Sequence, residues 1–174
     1  EREKELVDKL HIQATTDQLT GIFNRRVVFD ALDEAMDKAN ESQDREFTTI
    51  MFDIDFFKQV NDTYGHAGGD AVLISFAKLL ESEITSPNIV GRIGGEEFLA
   101  ILYLNQDQAA EFCKKLIIKI NDNTVNFDGI DIKISSSGGV AFSSETNTSA
   151  DLTNKADERL YEAKKSGRNR FKLI

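Results

Sequence analysis

Asp53-Ile54-Asp55 closes the apolar run that starts at Phe47, and Glu96-Glu97 leaves a Gly94-Gly95 pair set between the apolar runs Ile89-Val90 and Phe98 to Leu102. Both patterns put carboxylates where a physical reason is needed. Acidic side chains at the close of a buried strand are costly unless they bind a cation or are well hydrogen-bonded. Adjacent glycines between apolar runs are the local signature of a β-hairpin whose turn requires positive φ. The two glutamates that leave such a turn point to opposite faces of their strand. If the two strands are neighbours, their ends lie about 4.8 Å apart and their carboxylates can share a cation. Hard oxygen donors select magnesium or manganese over zinc, and the sequence has no His or Cys cluster, no Ser-His-Asp order and no Walker-type glycine-lysine loop. Carboxylates around such an ion, with Lys58, Lys164 and Arg168 as further cations, are what binding and activating a nucleoside triphosphate requires. The competing reading of Glu96-Glu97 is a solvated hairpin end with two surface glutamates.

Phe56 to Asp70, directly after the acidic strand end, is dense in turn formers and in side chains suited to bases and phosphates, among them Asn61, His66 and Asp70. Each also has a plain structural role. Asp70 directly precedes a strongly apolar helix predicted over Ala71 to Glu83, where it would be the N-cap. His66 would be a turn histidine bonded to backbone.

The elements that must position these groups follow from periodicity. Residues 1 to 16 read as an exposed, charged helix with a narrow stripe of Leu6, Val7 and Leu10, suited to a partner helix or to continuing an upstream helical stalk. Arg25 to Asn40 forms an amphipathic helix that Asn24 caps, with Val28, Leu32, Ala35 and Met36 on one face. A strand over Phe47 to Ile54, the helix from Ala71 and the Gly94-Gly95 hairpin come next, followed by a helix over Gln106 to Asn121. Strands are expected at Thr124 to Phe127 and Ile130 to Ser136, the second continuing or restarting at Gly138 to Phe142, with Asp128-Gly129 as another hairpin turn. A helix from a cap-like Ser149 to Ser166 stops at Gly167, and Phe171 to Ile174 is a final edge strand. Together these give an α+β domain built on one mixed, largely antiparallel sheet with helices over its faces.

The chain has 174 residues, 40% of them hydrophobic and 29% charged, which suits a single globular domain. A net charge of −9 argues against nucleic acid or an anionic membrane surface as a partner, so any phosphate ligand must be held locally. The single cysteine, Cys113, cannot form an internal disulfide and lies in a helical run, where a core role is expected. No apolar run approaches the roughly 20 residues of a membrane span. The chain begins at Glu1, as a piece of a longer protein would.

Gly94-Gly95-Glu96-Glu97-Phe98 resembles the signature of the GGDEF diguanylate cyclases in its Glu-containing form. The similarity extends, in the family's order, to Asp17-x-Leu19-Thr20-Gly21-x-x-Asn24-Arg25-Arg26, Asp53-Ile54-Asp55-Phe56-Phe57-Lys58-x-Val60-Asn61-Asp62, Gly65-His66-x-x-Gly69-Asp70 and Ala163-Lys164-x-x-Gly167-Arg168-Asn169. It covers the chain from about residue 15 to the end. The resemblance implies a five-stranded sheet flanked by helices, like the palm of polymerases and class III nucleotide cyclases, plus a β-hairpin. It divides the chain into a signalling helix, residues 1–16, and a cyclase domain, residues 17–174.

The resemblance also implies roles. Asp53, Glu96, Glu97 and the carbonyl of Ile54 would hold two magnesium (or manganese) ions per GTP, with Glu96 also activating the attacking ribose hydroxyl. Asn61 and Asp70 match positions that read the guanine edge, with His66 assisting or bracing the turn; an aspartate accepts from the N1 and N2 donors that adenine lacks. Lys58, Lys164 and Arg168 match phosphate-binding positions, Lys58 standing with Glu96 in the catalytic set, and the amides around Phe56 and Phe57 would cradle the terminal phosphates. The implied reaction joins two GTP into cyclic di-GMP with release of two pyrophosphates, and so needs two domains facing each other in a homodimer. The family's product-inhibition motif, Arg-x-x-Asp before the hairpin, is degenerate here: Thr85 and Asn88 occupy its charged positions, and only Arg92 matches a secondary position. The alternative is a catalytically silent domain that binds GTP or cyclic di-GMP as a signalling module, although no catalytic position is degenerate. The domain is expected in the cytoplasm without membrane contact of its own, while an upstream region can carry a sensor or an anchor.

Overall fold

Every residue of strand β1 (Thr48–Ile54) is buried, as its unbroken apolar character requires of a strand covered on both faces. The computed structural model describes residues 1–174 and places β1 in the middle of a five-stranded sheet. β3 (Glu97–Leu102) and β6 (Ser136–Phe142) flank it, both antiparallel. β2 (Ile89–Gly94) lies outside β3, and β7 (Phe171–Lys172) lies outside β6 in the sheet's one parallel pairing. β4 (Thr124–Phe127) and β5 (Ile130–Lys133) form a separate hairpin. The expected mixed, largely antiparallel sheet with an added hairpin is the architecture found.

The two faces of the sheet bury different helices. Ile50, Phe52 and Ile54 join a cluster with Val72, Leu73 and Phe76 of α3 (Phe57–Glu83) and Cys113 and Leu116 of α4 (Gln106–Asp122). Phe76 meets Phe98 edge-on at 5.1 Å. Cys113 sits in this core, and burial pushes its thiol up to about 12. Met51, Leu99 and Ala141 face the other way, onto Val28 and Leu32 of α2 (Arg25–Glu41) and Leu152, Ala156 and Leu160 of α5 (Ser149–Lys165). Strand alternation therefore puts Asp53 on the α2/α5 face. α1 (Arg2–Thr15) buries no residue and leaves Leu6, Val7 and Leu10 more than half exposed. No helix is long and apolar enough to cross a membrane.

Three local expectations are corrected. Phe56 to Asp70 is mostly helix rather than turns: α3 starts at Phe57 and bends at Gly65, whose backbone (φ 74, ψ 174) leaves the helical region. Val60 is buried on the core side of this first segment, so packing overrides the turn propensity of Asn61, Asp62 and the glycines. Asp70 consequently lies inside the helix and caps nothing. The strand expected from Ile130 breaks into β5 and β6, because residues 134 and 135 cross from one sheet to the other. Helix α5 is capped by Thr148, which accepts from the Asp151 amide, and not by Ser149. Asn24 caps α2 as expected, accepting from Val27 N at 3.1 Å.

α5 lies so close to the sheet that only glycine fits beneath it. A Cβ on Gly139 would stand 1.8 Å from the Ala156 carbonyl oxygen and 2.4 Å from the Leu160 amide nitrogen. Both are backbone atoms of the helix that carries Lys164. Gly139→Ala should therefore destabilise the domain by about 3 kcal/mol, lowering the thermal midpoint by roughly 6–12 °C for a chain of this size. A calorimetric midpoint within 2 °C of wild type, on the order of the error of such a conversion, would contradict this packing.

Candidate functional site

The register of the central strands sets Asp53 of β1 directly opposite Glu97 of β3 and, on the other side, opposite Ser137 of β6. Directly opposed residues share a face, so the Asp53 and Glu97 side chains emerge together at the end of the sheet. Asp53 is 5% exposed, whereas Glu97 reaches solvent. Glu96 sits in the turn, half-buried, and its carbonyl accepts from Ile54 N at 3.3 Å, which ties the hairpin tip to the end of β1. The side chain of Ile54 points into the core, so only its carbonyl is available to a ligand.

Burial pushes the Asp53 carboxyl above the ordinary carboxylate range; Lys164 opposes the shift and the charges of Glu96 and Asp55 add to it. Glu97 is raised too, first by desolvation at the strand ends and then by the charges of Asp53 and Asp157. Asp157 is a residue that the sequence reading missed. It lies on α5 seven positions before Lys164, a spacing that returns to the same helix face, and that spacing was the available signal. Desolvation raises its carboxyl as well, with Lys164 opposing.

Cations reach this acidic end from the last helix and the turn behind it. Lys164 donates to Asp53 Oδ2 at 2.5 Å. Past Gly167, the Arg168 guanidinium stands 4.5 Å from the centroid of the Phe56 ring, a cation–π contact. Phe56 itself is left-handed (φ 54), more than half exposed, and immediately precedes α3. The Phe57 amide thus opens a helix, where free N–H groups favour anions. Lys58, one residue on, is exposed and makes no ion pair. Asp55, the second residue missed, is buried and accepts from Ser135, Ser137 and the Asn169 amide.

The bend at Gly65 folds the two halves of α3 so that Asn61 meets Gly69. A Cβ on Gly69 would lie 1.9 Å from Asn61 Oδ1. Asn61 is thereby brought beside the turn of helix that carries exposed Asp70. His66 is exposed just past the bend. Arg92 is committed elsewhere: it donates to Gly95 O at 2.9 Å and pairs with Asp17 at 3.2 Å, clamping the hairpin turn. Burial raises Asp17, but the Thr20 hydrogen bonds and Arg92 outweigh it and hold the carboxyl below its usual range. Asn88 is also engaged, its Oδ1 accepting from Tyr103 N at 2.8 Å, and it closes a turn with Thr85.

An antiparallel β3–β1–β6 centre, with acidic strand ends meeting a cation from the last helix, defines a palm-like α+β domain. The profile described as "Diguanylate cyclase, GGDEF domain" matches residues 14–170, and the chain belongs to that family. It is 37% identical over 165 residues to diguanylate cyclase DgcS of Shewanella oneidensis, covering 95% of this chain and 54% of that protein. It is 36% identical over 163 residues to diguanylate cyclase A of Treponema denticola, covering 91% of this chain and 44% of that one. The chain thus spans about half the length of these curated relatives. Among solved structures, the coiled coil and GGDEF domain of DgcB from Caulobacter crescentus, in complex with c-di-GMP, superposes with a TM-score of 0.90. That match has 28% identity and covers 99% of this chain and 92% of that one.

The donor set fits magnesium. It is all oxygen, and no three acidic, His or Cys groups converge into a closed cage. Asp53 and Glu97, side by side at the strand ends, offer the one or two carboxylates that magnesium takes before completing its shell with phosphate and water. The like charges also make a testable demand on stability. Because the folded Glu97 carboxyl is raised, the folded state holds its proton more tightly than the unfolded chain, and stability is lost as pH rises through that folded value. Glu97→Gln should therefore raise the melting temperature at pH 7 in metal-free buffer. The gain should vanish below the ordinary glutamate range, where both states are protonated. A variant that melts below wild type at pH 7 would show that the folded state does not penalise the Glu97 charge.

Proposed function

We propose that this domain is a diguanylate cyclase: it binds GTP with magnesium and, as a two-fold dimer, condenses two GTP molecules into cyclic di-GMP with release of two pyrophosphates. The observation that carries the proposal is the opposition of Asp53 and Glu97 across β1 and β3, with Lys164 of α5 bonded to Asp53. The relatives named diguanylate cyclases support it.

Asp53, Glu97, Glu96 and the Ile54 carbonyl would hold magnesium, two ions per GTP, which supplies charge neutralisation of the triphosphate and polarisation of its α-phosphorus. Lys58, Lys164, Arg168 and the amides at Phe56 and Phe57 bind phosphate oxygens and orient the pyrophosphate leaving group. Asn61 and Asp70 take the guanine edge, and exposed His66 stands at the mouth of that subsite. Glu96 accepts the proton of the 3′-hydroxyl, whose oxygen then attacks the α-phosphorus of the GTP on the partner domain. Two such attacks close the ring, so one domain alone has half of the machinery.

α1 is the control handle of this scheme. Its exposed Leu6, Val7 and Leu10 pair two copies and set how the half-sites meet, with a sensor upstream. Product inhibition through the family's Arg-x-x-Asp route is weak or absent, since Thr85 and Asn88 carry no charge and the Asn88 carboxamide is already held by Tyr103. Residues 17–174 form the catalytic unit, working in the cytoplasm.

Incubation with GTP and magnesium, with products identified by mass, should give cyclic di-GMP at a rate per domain that rises with protein concentration. No cyclic di-GMP even at high concentration, or with an added dimerising helix, would leave a silent binding module as the better account. Glu97→Ala should abolish product. Gly69→Ala should change the melting temperature little, since the gain in helix propensity offsets the displacement of the Asn61 side chain and the Phe57 ring edge that a Cβ would meet. It should nevertheless weaken GTP binding about tenfold, on the order of one hydrogen bond lost with Asn61. Unchanged GTP affinity in that variant would remove Asn61 from the guanine subsite.

A further inference from the structure

Asp55 is a buried carboxylate with no cationic partner. It is 4% exposed, and no lysine or arginine pairs with it. Three donors converge on it instead. Oδ1 accepts from Ser137 Oγ at 2.6 Å, while Oδ2 accepts from Ser135 Oγ at 2.6 Å and from the Asn169 amide at 2.9 Å. Its own amide donates to Ser135 O at 2.9 Å. All three partners donate to the charged carboxylate; an asparagine of the same shape keeps them only by turning its NH2 onto a serine hydroxyl that must then accept, and it exchanges charge-assisted bonds for weaker neutral ones.

The Asn169 bond reaches furthest. Arg168 and Asn169 are both left-handed (φ 61 and 51), a conformation that residues with a Cβ adopt reluctantly and in tandem still less. Such a turn persists only where its surroundings hold it. The Arg168 amide closes α5 by donating to Ala163 O, and the Gly138 amide donates to the Arg170 carbonyl where β7 begins. Between those two anchors, Asp55 fixes the Asn169 amide while the neighbouring Phe56 ring receives the Arg168 guanidinium. The dipeptide Asp55-Phe56, immediately beyond the Asp53 strand end, thus grips the dipeptide Arg168-Asn169.

We propose that Asp55 is a positioning residue for the nucleotide: it holds the Gly167–Asn169 turn in its left-handed form, so that Arg168 is pre-aimed at the phosphates beside Asp53 and Lys164. The proposal rests on the reading that this site binds GTP. Asp55 touches no substrate and acts only through Arg168. Its removal should therefore matter to the nucleotide only while Arg168 is present.

The test is a double-mutant cycle on the affinity for α,β-methylene GTP with magnesium, an analogue whose α–β bridge cannot be broken. Asp55→Asn should weaken binding about tenfold, and Arg168→Ala by a similar factor. The double variant should bind no more than about twofold worse than Arg168→Ala alone. Amide hydrogen exchange at Asn169 should accelerate at least about tenfold in Asp55→Asn. If that variant does not fold, Ser135→Ala removes one donor and keeps the carboxylate; it should weaken binding about threefold, again with no further loss beside Arg168→Ala. Additive losses in the cycle, or unchanged affinity in both single variants at Asp55 and Ser135, overturn the proposal while leaving the function intact. A wild-type chain that does not bind the analogue overturns the functional reading, and the proposal with it.

Discussion

Two carboxylates facing each other across a pair of strands are an electrostatic liability, and the rest of this domain accommodates that pair. Asp53 and Glu97 are opposed by the β1–β3 register, with desolvation raising both. Neither can move away without breaking the ladder, because Phe52 and Phe98, the residues just before and after them, are fully buried on the opposite face. The pair therefore persists as a fixed demand for positive charge. Lys164 answers part of it from α5, and its position depends on Gly139 letting that helix approach the sheet. Strain of this kind, local to a site and held in place by the core, is the usual signature of a pre-organised centre.

The hairpin end shows the same logic. Arg92 could have been a ligand-binding cation, but its guanidinium is divided between Gly95 O and Asp17, and α2 adds a bond from Arg25 to the Ile93 carbonyl. These contacts fix the turn from which Glu96 and Glu97 emerge. On the far side, Asp55 performs the corresponding task for the Arg168 turn. The site therefore has two tiers: acidic and basic groups gathered at the strand ends, and a tier of hydrogen bonds behind them that sets their positions.

Much of this was legible in the sequence because its signals were local and mutually consistent. The apolar run before Asp53 and the Asn24 cap each depend on neighbours in the chain, and each appears as expected; the glycine pair does mark a hairpin, with its turn one residue later, at Gly95-Glu96. The segment from Phe56 to Asp70 did not, since burial of Val60 turned glycine- and asparagine-rich sequence into helix and Gly65 absorbed the mismatch as a bend. Asp55 and Asp157 were missed for a different reason. The donors to Asp55 lie 80 or more residues away, and no spacing rule announces two serines from the start of β6 and a backbone amide from the turn after α5; Asp157 carried one local signal, its spacing from Lys164, while Glu97 lies on another element. The two glutamates do not alternate across one strand as expected: Glu97 is in the ladder opposite Asp53, and Glu96 is in the turn, bonded through its carbonyl to Ile54.

The role proposed for the Asp53–Glu97 pair is to hold a divalent cation on a guanine nucleotide. Its most direct test is a crystal structure of the domain grown with manganese and α,β-methylene GTP, using anomalous scattering to locate the metal. Manganese is expected at the carboxylates of Asp53 and Glu97, with guanine against Asn61 and Asp70 and phosphate oxygens on Lys164 and Arg168. Manganese bound away from that pair, or nucleotide seated with no metal at the strand ends, would contradict it.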